Sequence, residues 1–357
     1  MLPYLILLIL IGSMAITHMR PQSAPVAYRF GWSWSATFFL LVLMIGFRHE
    51  VGADWGGYIN HVEEMQGEAF NAVWASKDMA YGLLNWIGAN VIGDIYLVNV
   101  GCAVLFCWGL GAFCRQQPRP WLALLVALPY LIIVVAMGYS RQGVAIGLAM
   151  LAITRLENGR IAWFLFYMML AALFHKSALI LIPFSIFAAS RYRLLTVLGV
   201  AVSIFVLFVV LIQDQMDYFA GNYLEVELES SGAGIRVSMN AIPAVLFLLF
   251  KNRFTIGNKL RSFWSWMAWS SLLLIPLLIV SPSSTAIDRV ALYWIPLQLF
   301  VFSRLPDIFG IPGRRNPLWV TLISAYSASL MVGWLVFARF ASFWLPYRFY
   351  LWEALWS

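Results

Sequence analysis

Twelve apolar stretches joined by polar links leave this chain a single solvent that accepts it. They run 2–17, 31–47, 95–113, 121–136, 143–154, 161–174, 178–189, 194–212, 235–250, 263–280, 290–302 and 318–337. Within them the apolar residues are continuous rather than alternating at period two. That argues for helices and against a β-barrel. Only 11% of the chain is charged, where a soluble domain carries about 25%. The expected fold is all-α: a polytopic membrane bundle of about 12 transmembrane helices forming one domain, residues 1–357. Several stretches fall short of the roughly 20 residues a bilayer asks for, so their ends must extend into flanking polar residues.

Charge orients the bundle. With the loop after the first helix placed inside, inner loops receive 15 of the 23 lysines and arginines and two of the 16 acids, Glu157 and Asp307. The outside then holds eight basic and 14 acidic residues. Every inner loop is basic, as the positive-inside rule requires. Both termini are expected outside. The first stretch lacks a basic segment before it, and Arg20 follows it, so it reads as a retained helix and not a cleaved signal. The net charge of +7 belongs to these inner loops and their anionic lipids; nothing suggests nucleic acid.

The outer side carries the long loops. Residues 48–94 are polar, acidic and aromatic, and 81–91 within them suit an interfacial or re-entrant helix. Residues 213–234 form an acidic loop expected to be mobile. Large loops sit where function lies, so the working face is expected outside. Cys102, Cys107 and Cys114 have no CxxC spacing or histidine nearby and read as small apolar residues. A P-loop, HExxH, GxSxG and paired Asp-x-Asp are missing, so no metal or cofactor is expected.

Chemistry-bearing residues gather at predicted outer helix ends. Arg48, Gly52, Asp54 and Tyr58 fall within eleven residues after the second stretch. An arginine there suits bidentate phosphate contact, and an aspartate suits a base. Arg141 and Gln142 enter the fifth stretch; His175, Lys176 and Ser177 leave the sixth. Arg141 and His175 each lie 17 residues from Asn158 at the hairpin tip, so they reach one depth. Cations and a histidine converging there suit a pyrophosphate; interfacial snorkelling by Arg141 and Lys176 is the plainer alternative. Asp288, Arg289 and Tyr293 open the eleventh stretch. Arg289 is a further phosphate-ligand candidate, and an Asp288–Arg289 surface pair the alternative. Outer aromatics, Tyr81 among them, suit either sugar stacking or an interfacial belt.

These residues resemble the EpsG family of bacterial exopolysaccharide polymerases, of the broader Wzy type. Arg48…Gly52-Ala53-Asp54…Tyr58 is similar to that family's R-x-x-x-G-x-D-x-x-x-Y element. Tyr81-Gly82-Leu83-Leu84-Asn85, Arg141-Gln142, Phe174-His175-Lys176-Ser177-Ala178 and Arg289…Tyr293 resemble four further elements, over roughly residues 45 to 295. Met79 and Ala80 depart from the pattern and leave Asp78 to supply an acid from a shifted position.

The resemblance implies a lipid-linked oligosaccharide polymerase in a bacterial inner membrane, working at its outer face in exopolysaccharide or capsule biosynthesis. The growing chain would pass, with inversion, from undecaprenyl pyrophosphate to a hydroxyl of an incoming repeat unit. Its partners would be that lipid-linked oligosaccharide, membrane lipid, a flippase and a chain-length regulator. Arg48, Arg141, Lys176 and Arg289 would hold pyrophosphate. Tyr58, Tyr81, Gln142, Ser177 and Tyr293 would line the substrate site, and Asp54 or His175 would be the base. A ligase, a flippase and a membrane O-acyltransferase are the rival readings. The near-absence of mid-span charge disfavours a transporter. His18 is the only histidine expected on the inner side, where an acyl donor would arrive.

Overall fold

The computed structural model describes residues 1–22, 31–184, 232–281 and 284–356. Its long helices are α1 (Leu2–Thr17), α2 (Trp32–Gly46), α3 (Trp55–Glu63), α4 (Met79–Ile87), α5 (Ile95–Arg115) and α6 (Pro120–Ala136). They continue with α7 (Ser140–Glu157), α8 (Ile161–Phe174), α9 (Ala233–Phe250), α10 (Asn258–Val280), α11 (Ser284–Phe302) and α12 (Pro317–Phe337). All but α3 and α4 coincide with stretches expected to cross the membrane. The stretch at 194–212 and nearly all of the acidic loop 213–234 lie outside the described residues. Of the stretch at 178–189, the described part begins as the 3-10 helix Lys176–Leu181. Among the described residues five helices are each long and apolar enough to cross a membrane, and shorter apolar helices accompany them. This is a multi-pass helical membrane protein.

Burial sorts the helices into layers. In α6 every residue is buried, and nearly every residue of α7 and α11 is too. These form the central layer. The outer helices α1, α8, α9 and α12 expose Leu2, Ile9, Phe166, Leu249 and Leu318, which suits them to lipid contact. Helices α5 and α7 cross where Gly109 faces Gly147: a Cβ on Gly109 would meet the Gly147 carbonyl oxygen at 1.8 Å. Small residues let the two backbones touch. Pro129 lacks the N–H that the α ladder needs, and α6 continues through Leu128–Ala136 with π-helical turns.

The two ends of the bundle are distinct. At one end the start of α1, the end of α2 and the C-terminal segment meet. Tyr4 Oη donates to the Trp344 carbonyl (3.0 Å), and the Gly52 amide donates to the Phe343 carbonyl (2.9 Å). Loop 48–94 folds over this end as helices, with α4 packed against α5 and α8. The all-α bundle carries one short extended pairing among its described residues. Arg48–His49 and Arg348–Phe349 form a two-residue antiparallel ladder, where backbone groups outside any helix find partners in each other. At the opposite end Arg119 binds Asp307 bidentately (2.6 and 2.9 Å) and donates to the Met19 carbonyl at 2.8 Å.

Candidate functional site

The first motif folds around its glycine. Gly52 holds φ +105°, and a Cβ there would meet the Met137 carbonyl oxygen at 2.7 Å. Only glycine suits both that backbone and that approach. The turn sends Arg48 inward and delivers Asp54 to the start of α3.

Arg48 departs from the expected role. It is fully buried, and its guanidinium donates to the Ile45 carbonyl (2.6 Å), the Val51 carbonyl (3.3 Å) and Ser140 Oγ (2.7 Å). It therefore clamps the α2 end to the α7 start rather than reaching a ligand. Tyr58 is likewise buried; its hydroxyl accepts from the Ser140 amide at 2.9 Å. The motif's arginine and tyrosine both fix the first turn of α7.

Asp54 instead lines a cavity of about 680 Å³ at this end of the bundle. Gln142, Arg236, Asp288, Arg289 and Arg339 supply the rest of its charged and amide wall. Its remaining wall is apolar and aromatic, including Ile235, Met239, Leu292, Trp334, Phe337 and Trp344. Burial raises the Asp54 carboxyl, and Arg289 and then Arg141 pull it back. Gln142 Nε2 donates to the Arg289 carbonyl at 2.5 Å, which joins α7 to α11 across the cavity wall. The structure gives Asp288 a partner on another helix. Asp288 pairs with Arg236 of α9, whose NH1 also donates to Tyr130 Oη at 2.6 Å.

The remaining residues gather beside the cavity rather than in it. Arg141 NH1 donates to Asp78 at 2.8 Å and lies over the Tyr81 ring at 5.7 Å. The shifted acid of the second motif thus meets the arginine of the third. Burial, then Arg141, Arg289 and Lys77, hold His175 down to about 3, so the imidazole is neutral near pH 7. Ser177 Oγ and His175 Nδ1 lie 2.5 Å apart, and Ser177 donates to Tyr293 Oη at 3.1 Å. Tyr293 is fully buried and holds Ser177 rather than facing a ligand. Lys176 is exposed. Equal rise along the 140–177 hairpin predicts Arg141, Gln142, His175 and Lys176 around one spot. The structure divides them: Gln142 faces the cavity, while Arg141 and His175 stand on its flank.

Arg236 and Arg339 were not singled out by sequence. Both belong to the eight cations that charge bookkeeping leaves outside, and that was their one signal. Neither stands in a motif. No group of His, Cys, Asp and Glu able to hold a metal occurs among the described residues.

Fold and site together define a helical membrane protein whose described residues enclose an amphiphilic cavity, lined by three arginines, two aspartates and a larger apolar and aromatic wall. The chain belongs to the EpsG family, whose family model matches residues 31–349. That match extends beyond residues 45 to 295, where the motifs carry the resemblance, and takes in α12 and most of the C-terminal segment. No curated protein and no solved structure matches the chain.

Proposed function

We propose that the protein polymerises lipid-linked oligosaccharide repeat units at the outer face of a bacterial inner membrane. The cavity supports this reading most directly. A polyprenyl-pyrophosphate-linked sugar is a dianion joined to an apolar tail. The cavity has the matching division, with Arg236, Arg289 and Arg339 at its polar wall and aromatic and aliphatic side chains over the rest. Cations fixed where a leaving group gains charge stabilise the transition state without reorganising.

In the proposed reaction a hydroxyl of the incoming unit attacks the anomeric carbon of the growing chain. The new glycosidic C–O bond forms as the C–O bond to pyrophosphate breaks, with inversion. The hydroxyl proton passes to Asp54, and the lipid pyrophosphate leaves against the arginines. Asp54 suits the base better than His175. Burial strengthens it as a base, whereas the surrounding cations weaken His175.

Gel analysis of polysaccharide from a deletion strain tests this. Wild type restores long chains, whereas Asp54→Asn and Arg289→Ala leave single repeat units on lipid. Long chains that remain on lipid in the deletion strain would establish a ligase instead. Repeat units that stay inaccessible from outside would establish a flippase.

A further inference from the structure

A smaller cavity, of about 240 Å³, opens at the end of the bundle opposite the first. Three segments build most of it: 116–118 between α5 and α6, 253–255 between α9 and α10, and 304–312 after α11. Its polar wall holds Gln116, Gln117, Arg253, Thr255, Arg304 and Asp307. The proposed reaction uses none of them.

The acid of this wall is already engaged. Asp307 binds Arg119 bidentately, and its Oδ1 also accepts from the Gly313 amide at 3.2 Å. The two arginines of the wall are not. Neither Arg253 nor Arg304 reaches ion-pair distance of a carboxylate among the described residues; Glu157 and Asp307 act on Arg304 from farther off. Neutral groups hold Arg304 in place. Its NH1 donates to the Gln117 amide oxygen and to the Phe300 carbonyl (3.0 Å), and its guanidinium carbon lies 3.9 Å from the Phe300 ring centre. Gln117 is fixed in turn, because its Nε2 donates to the Phe113 carbonyl at 2.8 Å. Arg253 is exposed and makes one long contact, 3.5 Å from NH1 to the Ile308 carbonyl. Nε and NH2 of both arginines donate to nothing among the described residues. Two such guanidinium groups in one cavity suit a phosphate, which they bind by charge and by paired N–H donors.

The neighbouring surface selects among phosphates. Arg253 lies over the Phe250 ring at 5.5 Å, Phe250 packs edge-on against Phe309 at 4.9 Å, and Phe309 stacks on Trp319 of α12 at 5.0 Å. These rings are half-buried, and Leu249 and Leu318 beside them are exposed. The row leads from Arg253 to the lipid-facing flanks of α9 and α12. A soluble phosphate gains nothing from it, whereas an acyl chain does. Basic pockets between helix ends take phospholipid head groups on the same grounds.

We propose that this cavity binds the phosphodiester head group of an anionic phospholipid, with Arg253 and Arg304 on the phosphate and an acyl chain along Phe250, Phe309 and Trp319. The site stands at the opposite end from Asp54 and does not depend on which reaction occurs there. A lipid seated in it joins the α9–α10 link to the end of α11, so occupancy stabilises the bundle.

The test uses the full-length protein, purified in detergent, stripped of lipid and titrated with phosphatidylglycerol. Native mass spectrometry reads binding, and thermal melting reads stability. One phosphatidylglycerol per chain is expected to bind above the level of phosphatidylcholine and to raise the melting temperature. Arg253→Ala is expected to melt with wild type in the absence of lipid and to weaken binding about tenfold or more, the worth of a charge-assisted contact. Arg253→Lys, which keeps the charge, recovers part of that loss. Arg315→Ala removes an exposed cation outside the cavity and is expected to change binding less than about twofold. Equal weakening by Arg253→Ala and Arg315→Ala would show diffuse attraction to a basic surface and overturn the proposal, as would equal binding of the two phospholipids. Displacement of phosphatidylglycerol by an equal concentration of sn-glycerol 1-phosphate would show a site for free phosphate esters and overturn the lipid assignment.

Discussion

Asp54 and Arg48 lie six positions apart in one motif and do opposite work. Asp54 faces the cavity, and Arg48 is consumed by the backbone. Substitution separates the two roles. As the base, Asp54 must be ionised, so the transfer rate rises with pH through its pKa, which burial holds above 3.8. His175, held to about 3 instead of its ordinary 6.5, adds no limb near neutrality. A rate profile between pH 4 and 9 is therefore expected to show one acid limb, and Asp54→Asn to lower the rate about 10²–10⁴-fold. A limb near 6.5 that survives in Asp54→Asn and vanishes in His175→Gln would move the base to His175.

Arg48→Ala behaves differently. It leaves the Ile45 and Val51 carbonyls and Ser140 Oγ without their buried donor. A loss of about 1–3 kcal/mol is expected, the cost of leaving buried neutral acceptors unsatisfied. Folded protein recovered from the membrane should fall along with activity. A stable, inactive Arg48→Ala protein would return Arg48 to the ligand site.

At the scale of elements, sequence and structure agree where apolar length decides and part where tertiary partners decide. The helix 161–174 is found with the bounds its apolar run dictates, and α2 and α12 differ by a residue. Depth along a hairpin was legible too, because rise per residue is fixed; Arg141 and His175 do share one end of the bundle. Rotation about the helix was not. It depends on which neighbour each face meets, and so Gln142 and Arg141 part company. The Asp288–Arg236 pair joins helices whose contact no local pattern records. The Arg48–Phe349 pairing spans nearly the whole chain and was equally invisible.

Close crossings are the other hidden term. Gly109 and Gly147 each sit in an unremarkable apolar run, yet α5 and α7 touch through them. Gly109→Ala is expected to cost about 1–3 kcal/mol by overpacking, with a lowered melting temperature in detergent. Gly333→Ala on α12, where a Cβ would meet nothing within 4 Å, serves as the control. Equal effects from the two would show that α5 and α7 do not pack as described.

The whole molecule turns on which end of the bundle faces out. Asp54, Arg141, Arg289 and both terminal segments share one end, and the Arg119–Asp307 clamp marks the other. The positive-inside expectation would put the first end outside: of the eight cations at that end, Arg236, Arg289 and Arg339 line the cavity, Arg141 binds Asp78, Arg48 is buried, Arg348 binds Glu50 and Glu353, and Lys77 and Lys176 are exposed. Cysteine labelling tests the orientation cleanly, because Cys102, Cys107 and Cys114 are all buried. Lys77→Cys and Arg314→Cys place a thiol at exposed positions on opposite ends. In intact spheroplasts a membrane-impermeant maleimide is expected to label Lys77→Cys alone, and Arg314→Cys only after lysis. The reverse pattern would put the cavity on the cytoplasmic side, where no lipid-linked chain is extended outward, and the polymerase reading would fall with the topology.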